Sequence, residues 1–335
     1  MKALLLIHGF LTCTDDWDLF VPELETMYDE IVLFKQPGHE RSDGKPHYKD
    51  FTADGCFAAM DETIAELEEK FDVVDVMGHS MGGGMGLYAA AKLKNIGRAV
   101  LLAPAVRFPR PGAMMRHNAL VAKLDGMAKS CSDSELAEVL TDTVTSVKST
   151  YKESLDVFFK RLLPNWSPHN LLTFMRIMGK AEKFAAEVTC PLAVCWGELD
   201  EFVPRKSAEF ILDNAKSRDK TYIVYETVGH AMMYLGNIRL LIRDVKCLLR
   251  GEDPCELPYA PGALRTAVRI TDNGDGSVEL YTVADKLVRD KGGVREIRES
   301  TKRTERRSPA PMPQKKAETK QATAEVSAAP TEESK

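Results

Sequence analysis

A serine with glycines two residues to either side is the first point in this chain where residue type and spacing suggest chemistry. Gly78-His79-Ser80-Met81-Gly82 follows the apolar run 73–77 and leads into the helix-spaced apolar stretch 85–93. A strand that turns at once into a helix holds the turn residue in a strained conformation, so the residues two before and two after must lack bulk. Gly78 and Gly82 meet that need, and Gly83, Gly84 and Gly86 let the helix lie close to a sheet. The start of a helix also favours negative charge forming beside it. The chemistry this predicts is nucleophilic attack by the Ser80 hydroxyl.

A serine hydroxyl needs a base, and the base needs a carboxylate to fix its tautomer. Of seven histidines, His230 is best placed, in Val228-Gly229-His230-Ala231 just after the strand-like run 221–225. Asp200 follows the run 192–196 in Gly197-Glu198-Leu199-Asp200-Glu201-Phe202-Val203-Pro204 and is the favoured acid. Glu198 and Glu201 are close rivals, because spacing alone does not show which side chain points inward. A tetrahedral oxyanion needs backbone donors. The amide of Met81, directly after the nucleophile, is one. The amide of Phe10, in the His8-Gly9-Phe10 loop after the first apolar run, is the other.

The elements that must position these residues alternate between β-rich runs and helical patterns. Strands are predicted over 3–7, 31–34, 73–77, 99–103, 192–196 and 221–225, and helices over 17–28, 57–71, 85–93 and 207–215. Such alternation implies an α/β fold with a mostly parallel sheet of about six core strands, covered by helices on both faces. The core takes residues 1–106 and 188–250. Between them, 107–187 contains no strand pattern, and its helical stretches (135–147 and 151–163) are punctuated by prolines. An inserted helical cap is the expected arrangement. Met114, Met115, Phe158, Phe159, Trp166 and Phe174 are its apolar residues that could line a substrate pocket, and packing of the cap onto the core is the competing use for them.

Residues 251–300 form an extension with a β-hairpin, 266–271 and 277–283, around Asp272-Asn273-Gly274-Asp275-Gly276. That turn does not read as a calcium loop, because the expected downstream glutamate falls on Thr282. Residues 301–335, rich in Lys, Glu, Ala and Pro without an aromatic, are expected to be a disordered charged tail. A protein partner docking on this tail is a secondary expectation.

The formal net charge of -5 is too small to argue for nucleic acid or an anionic membrane surface. No apolar stretch reaches the ~20 residues of a membrane span. Seven cysteines without paired spacing fit neither zinc nor a disulfide framework. The apolar run 3–7 is too short for a secretory signal. A soluble cytoplasmic protein is expected, with no metal and no organic cofactor.

With these residues in place, the chain resembles the α/β-hydrolase superfamily, in its carboxylesterase and monoacylglycerol-lipase-like group. The likeness rests on His8-Gly9-Phe10, Gly78-His79-Ser80-Met81-Gly82-Gly83, Gly197 with Asp200 and Val203-Pro204, and Gly229-His230. Gln36-Pro37-Gly38-His39-Glu40-Arg41-Ser42-Asp43 is similar to a further loop of the family, with Glu40 replacing a glycine. The resemblance implies that this loop is structural, that a lid follows the sixth strand of the family's sheet, and that this chain starts at the third. It also implies a serine hydrolase acting on carboxylic esters with an apolar acyl group. Thioester, amide and carbon–carbon bond hydrolysis are alternatives, and a non-catalytic binding protein is a more distant one.

Overall fold

The computed structural model describes residues 1–39, 47–107, 113–157, 159–160, 163–233, 238–260, 262, 264–290 and 293–306. The six expected runs are strands β1 (Lys2–Ile7), β2 (Glu30–Phe34), β3 (Val73–His79), β4 (Ile96–Leu102), β5 (Leu192–Gly197) and β6 (Asp219–Tyr225). They pair in parallel in the order β2-β1-β3-β4-β5-β6. Helices follow in chain order: α1 (Val21–Leu24), α2 (Ala53–Lys70), α3 (Met81–Lys92), α4 (Ala113–Ser130), α5 (Ser134–Val157), α6 (Pro168–Phe184), α7 (Arg205–Asn214) and α8 (Ile238–Arg250).

The strands read as unbroken apolar runs because helices cover both faces of the sheet. In β1, Ala3, Leu5 and Ile7 pack with Phe57 and Met60 of α2 and Met85 of α3. The alternate residues Leu4 and Leu6 meet Trp17, Phe20 and Leu24 on the other face, where Val245 and Leu248 of α8 join them. Each fully buried Leu, Ile, Val, Phe or Met side chain among them contributes roughly 1.5–3 kcal/mol. Thr52 starts α2, its hydroxyl accepting the Gly55 N–H at 3.1 Å.

Three expectations change. Residues 17–28 do not form one helix. Only α1 is α-helical there, between 3-10 turns Thr14–Trp17 and Glu25–Met27. Pro22, which has no N–H to donate, stands in its first turn. The two helical stretches expected within 135–163 merge into α5, because neither Gly nor Pro interrupts residues 134–157.

The largest change concerns the extension: the six expected core strands are present, and three more strands continue the same sheet, nine in all among the described residues. The expected hairpin is β7 (Arg265–Asp272) and β8 (Ser277–Asp290), joined to a third strand, β9 (Gly293–Arg306). All three run antiparallel and continue the sheet beyond β6. Residues 301–306, expected as tail, belong to β9. Main-chain pairing with β8 holds them, and their charged side chains lie exposed. Residues 307–335, the rest of the expected tail, fall outside the described residues. The β7–β8 turn is closed locally: Gly274 and Gly276 take positive φ, and Asp272 and Asp275 carboxylates accept nearby main-chain N–H groups.

Two contacts tie the extra strands to the rest. Buried Arg265 of β7 donates to Asp244 of α8 at 3.1 Å, and Asp244 also accepts the Tyr225 hydroxyl of β6 at 2.9 Å. Leu264 and Val294 share an apolar cluster with Leu124 and Met127 of α4, Leu140, Val144 and Val147 of α5, and Leu199 after β5. Among the described residues, no helix is long and apolar enough to cross a membrane.

Candidate active site

Ser80 sits between β3 and α3 with φ 57° and ψ −118°. A non-glycine residue in such a region carries about 1–3 kcal/mol of strain, so its surroundings must hold it there. Four main-chain hydrogen bonds do so. The Ser80 N–H donates to Leu102 O at 2.9 Å, and its carbonyl accepts from Gly83 (3.0 Å), Gly84 (3.2 Å) and Ala105 (2.9 Å). The flanking glycines are steric requirements. A Cβ on Gly78 would lie 2.2 Å from Gly82 O, and one on Gly82 would lie 2.1 Å from Ile7 O and 2.4 Å from His8 O. The first turn of α3 therefore rests directly on the end of β1.

The loops after β5 and β6 bring the other two predicted residues to Ser80. The Ser80 hydroxyl lies 2.9 Å from His230 Nε2, and His230 Nδ1 donates to Asp200 Oδ2 at 2.9 Å. Asp200 Oδ1 accepts the Phe202 and Val203 N–H groups at 2.8 and 2.6 Å. That local turn aims the buried carboxylate at the imidazole and separates Asp200 from its rivals. Glu201 instead accepts the main-chain N–H of His230 at 2.9 Å, while Glu198 lines one cavity together with Asp200, Glu201, Arg116 and Arg205.

Four histidines gather near the serine, and their electrostatics differ. Burial pushes His8 and His79 down to about 3, helped by the charge of a neighbouring histidine in each case. Burial alone takes His39 down to about 4. His230 goes the other way. Burial works against its protonation, but the charge and hydrogen bond of Asp200, with the charge of Glu201, raise it above the ordinary imidazole value. Of the four, His230 is the imidazole equipped to take up a proton near neutral pH.

The His8-Gly9-Phe10 loop faces the nucleophile: a Cβ on Gly9 would touch Ser80 Cβ at 3.5 Å. Leu11, at φ 55°, donates its N–H to His39 Nε2 at 3.1 Å, while His39 Nδ1 donates to Pro37 O at 3.2 Å. Gln36 donates to His8 O at 2.6 Å. Thus His39 braces the loop that carries Phe10. Glu40 to Asp43 fall outside the described residues. Met81 is buried in the first turn of α3.

Of the expected apolar cap residues, Phe174 meets the site by stacking on Phe10. Phe159 and Trp166 are 57% and 50% exposed. Phe158 and the side chains of Met114 and Met115 fall outside what is described. The apolar groups that meet the site come chiefly from α6. Phe174 stacks on Phe10 at 4.7 Å, and Phe174, Met175 and Met178 cluster with Ala105, Phe202 and Val203. Phe202 also packs edge-on against His230 at 5.2 Å. Arg116 of α4 donates to the Asp200 carbonyl at 3.1 Å. Composition points to an apolar insertion; which of its residues face inward depends on how α6 docks on α3.

Residues 1–234 match the family Hydrolase_4, described as serine aminopeptidase, S33. Monoglyceride lipase of Rattus norvegicus is 21% identical over 242 residues, covering 69% of this chain and 76% of that protein. Among solved structures, the monoacylglycerol lipase of Paleococcus ferrophilus aligns with a TM-score of 0.53 at 18% identity, over 74% of this chain and 94% of that one. A structure from work on the metagenome-derived lipolytic enzymes LipS and LipT aligns with a TM-score of 0.52 at 16% identity, over 75% and 94%. The fold is that of the α/β hydrolases.

Proposed function

The chain belongs to the Hydrolase_4 family and is a serine hydrolase of the lipase and esterase type, and we propose that it cleaves carboxylic esters through an acyl-enzyme on Ser80. The observation that carries this reading is the unbroken line Ser80 Oγ–His230–Asp200, with both hydrogen bonds at 2.9 Å. Neutral His230 takes the Ser80 proton as the hydroxyl attacks the ester carbonyl. The Phe10 and Met81 amides hold the oxyanion that forms. Asp200 stabilises the imidazolium, which then protonates the leaving alcohol. Water enters by the same route and releases the acid. These steps require no metal or organic cofactor.

We read α4–α6 as a cap and assign the acyl chain to the surface of Phe10, Phe174, Met175, Met178 and Phe202. An apolar acyl group is supported by that lining and by the likeness to lipases. Free cysteines, six of the seven buried, support a cytoplasmic setting. Hydrolysis of p-nitrophenyl esters of increasing acyl length, beside the matching thioesters and anilides, tests the reading. Esters are expected to be turned over fastest, and Ser80→Ala to lose activity. Full activity in Ser80→Ala would overturn the mechanism, and faster anilide cleavage would overturn the substrate class.

A further inference from the structure

We propose that Glu201 is a positioning residue for His230: its carboxylate grips the main chain of the base and places a second negative charge beside the ring. This rests on the reading of His230 as the base for Ser80. The loop after β5 delivers two carboxylates in succession, and they go to different parts of one residue. Asp200 takes the ring Nδ1 at 2.9 Å, and Glu201 Oε2 takes the backbone N–H at 2.9 Å. On the other side of the same residue, His79 Nε2 donates to the His230 carbonyl at 2.9 Å. Both polar main-chain groups of His230 are therefore held by side chains, one from the loop after β5 and one from the end of β3, and the ring position follows from that hold.

Gly229 makes the approach possible. A Cβ there would lie 3.1 and 3.2 Å from the two Glu201 oxygens, so the glycine of Gly229-His230 opens the space in which the carboxylate sits. The groups facing this pair are defined. His230 is faced by Asp200, Glu201, His79 and Ser80. Glu201 is faced by Asp200, His230 and, from α5, Tyr151. Arg116 reaches the Asp200 carbonyl. Burial and the charge of Asp200 push Glu201 upward against the pull of the His230 N–H. A carboxylate kept in such a place acts on the imidazole through space as well as through its hydrogen bond.

The test is the rate at which a fluorophosphonate labels Ser80 as a function of pH in wild type, Glu201→Gln, Glu201→Ala and Glu201→Asp, each checked for native circular dichroism. Glutamine keeps an oxygen for the N–H and loses the charge, so the acid limb is expected to move down by about one pH unit. Alanine loses both, so its plateau rate should fall roughly tenfold below that of glutamine as the base loosens. Aspartate keeps the charge with a shorter reach, so its limb should stay near wild type while its plateau drops. A Glu201→Gln limb at the wild-type position would overturn the role of the charge. Equal plateaus in Glu201→Gln and Glu201→Ala would overturn the grip. Should Glu201→Gln not fold, a Glu201→Asp limb displaced below wild type would also overturn the proposal. Absence of labelling in folded wild type would instead overturn the reading of Ser80 and His230 on which it rests.

Discussion

Replacing Asp200 by asparagine isolates what the carboxylate does, because the geometry dictates how the amide must sit. Oδ1 of Asp200 accepts two main-chain N–H groups, from Phe202 and Val203, at 2.8 and 2.6 Å, and Oδ2 accepts the His230 Nδ1–H at 2.9 Å. Asparagine has one oxygen. Turning its NH2 toward these two main-chain donors would orphan both, at about 1–3 kcal/mol for the buried Val203 N–H alone. The oxygen therefore stays on the turn, and the NH2 faces the imidazole. It donates to Nδ1, which forces the ring proton onto Nε2, the nitrogen 2.9 Å from Ser80 Oγ. A base that already holds its proton there cannot take another. The expected loss in kcat at pH 7 is about 10³–10⁴, equivalent to roughly 4–5.5 kcal/mol. Turnover of p-nitrophenyl butyrate from pH 6 to 9 measures it. Thermal unfolding should shift little, since the turn keeps its acceptor. A loss under tenfold in a protein that unfolds like wild type would refute this account of the acid.

The pH profile of the wild type gives an independent check. His230 must be neutral to work, and its value is raised, so the acid limb of kcat/KM should be centred above the ordinary imidazole value of about 6.5, with activity lost as pH falls through it. A limb well below 6.5 would contradict the influence of Asp200 and Glu201. Gly82→Ala places a Cβ 2.1 Å from Ile7 O, which requires α3 and the end of β1 to part by about 1 Å and should cost about 10²-fold in kcat; undiminished turnover would show that the elbow tolerates it. Val294→Asp buries a carboxylate among Leu124, Met127 and Leu264, and should lower stability by about 3 kcal/mol. Denaturant unfolding measures that loss, and an unmoved midpoint would remove Val294 from the cluster.

The strands and the nucleophile were legible because their signals are local. Ser80 is marked by glycines whose absent side chains would each meet backbone within 2.2 Å, and β1 by an apolar run that two helical layers demand. The acid was less legible, since Glu198, Asp200 and Glu201 fall within four residues. A signal did exist. An Asp whose side chain caps the amides two and three residues on is a familiar turn, and that turn commits Asp200 inward. The position of α6 was not legible: the sequence offers Phe174 and Trp166 alike as pocket-lining candidates, and only docking sets Phe174 on Phe10 and leaves Trp166 exposed. Strand β9 was hidden for a related reason. Val294 and Ile297 are its apolar side chains in fourteen residues, and its pairing is a main-chain property that depends on β8 being there to receive it.

That last strand changes how the site is understood. Val294 and Leu264 bring no reactive group, yet they share one apolar cluster with α4, α5 and Leu199, the residue before Asp200. Arg116, on that same α4, holds the Asp200 carbonyl, and Tyr151, on that same α5, faces Glu201. The carboxylates that serve His230 are thus steadied from outside the parallel sheet by helices that lean on the antiparallel extension. Interiors pack densely enough to transmit displacement. A cavity or a charge introduced beneath α4 should therefore be felt at Asp200 before it is felt at Ser80, whose conformation is held by main-chain bonds to β4, α3 and Ala105.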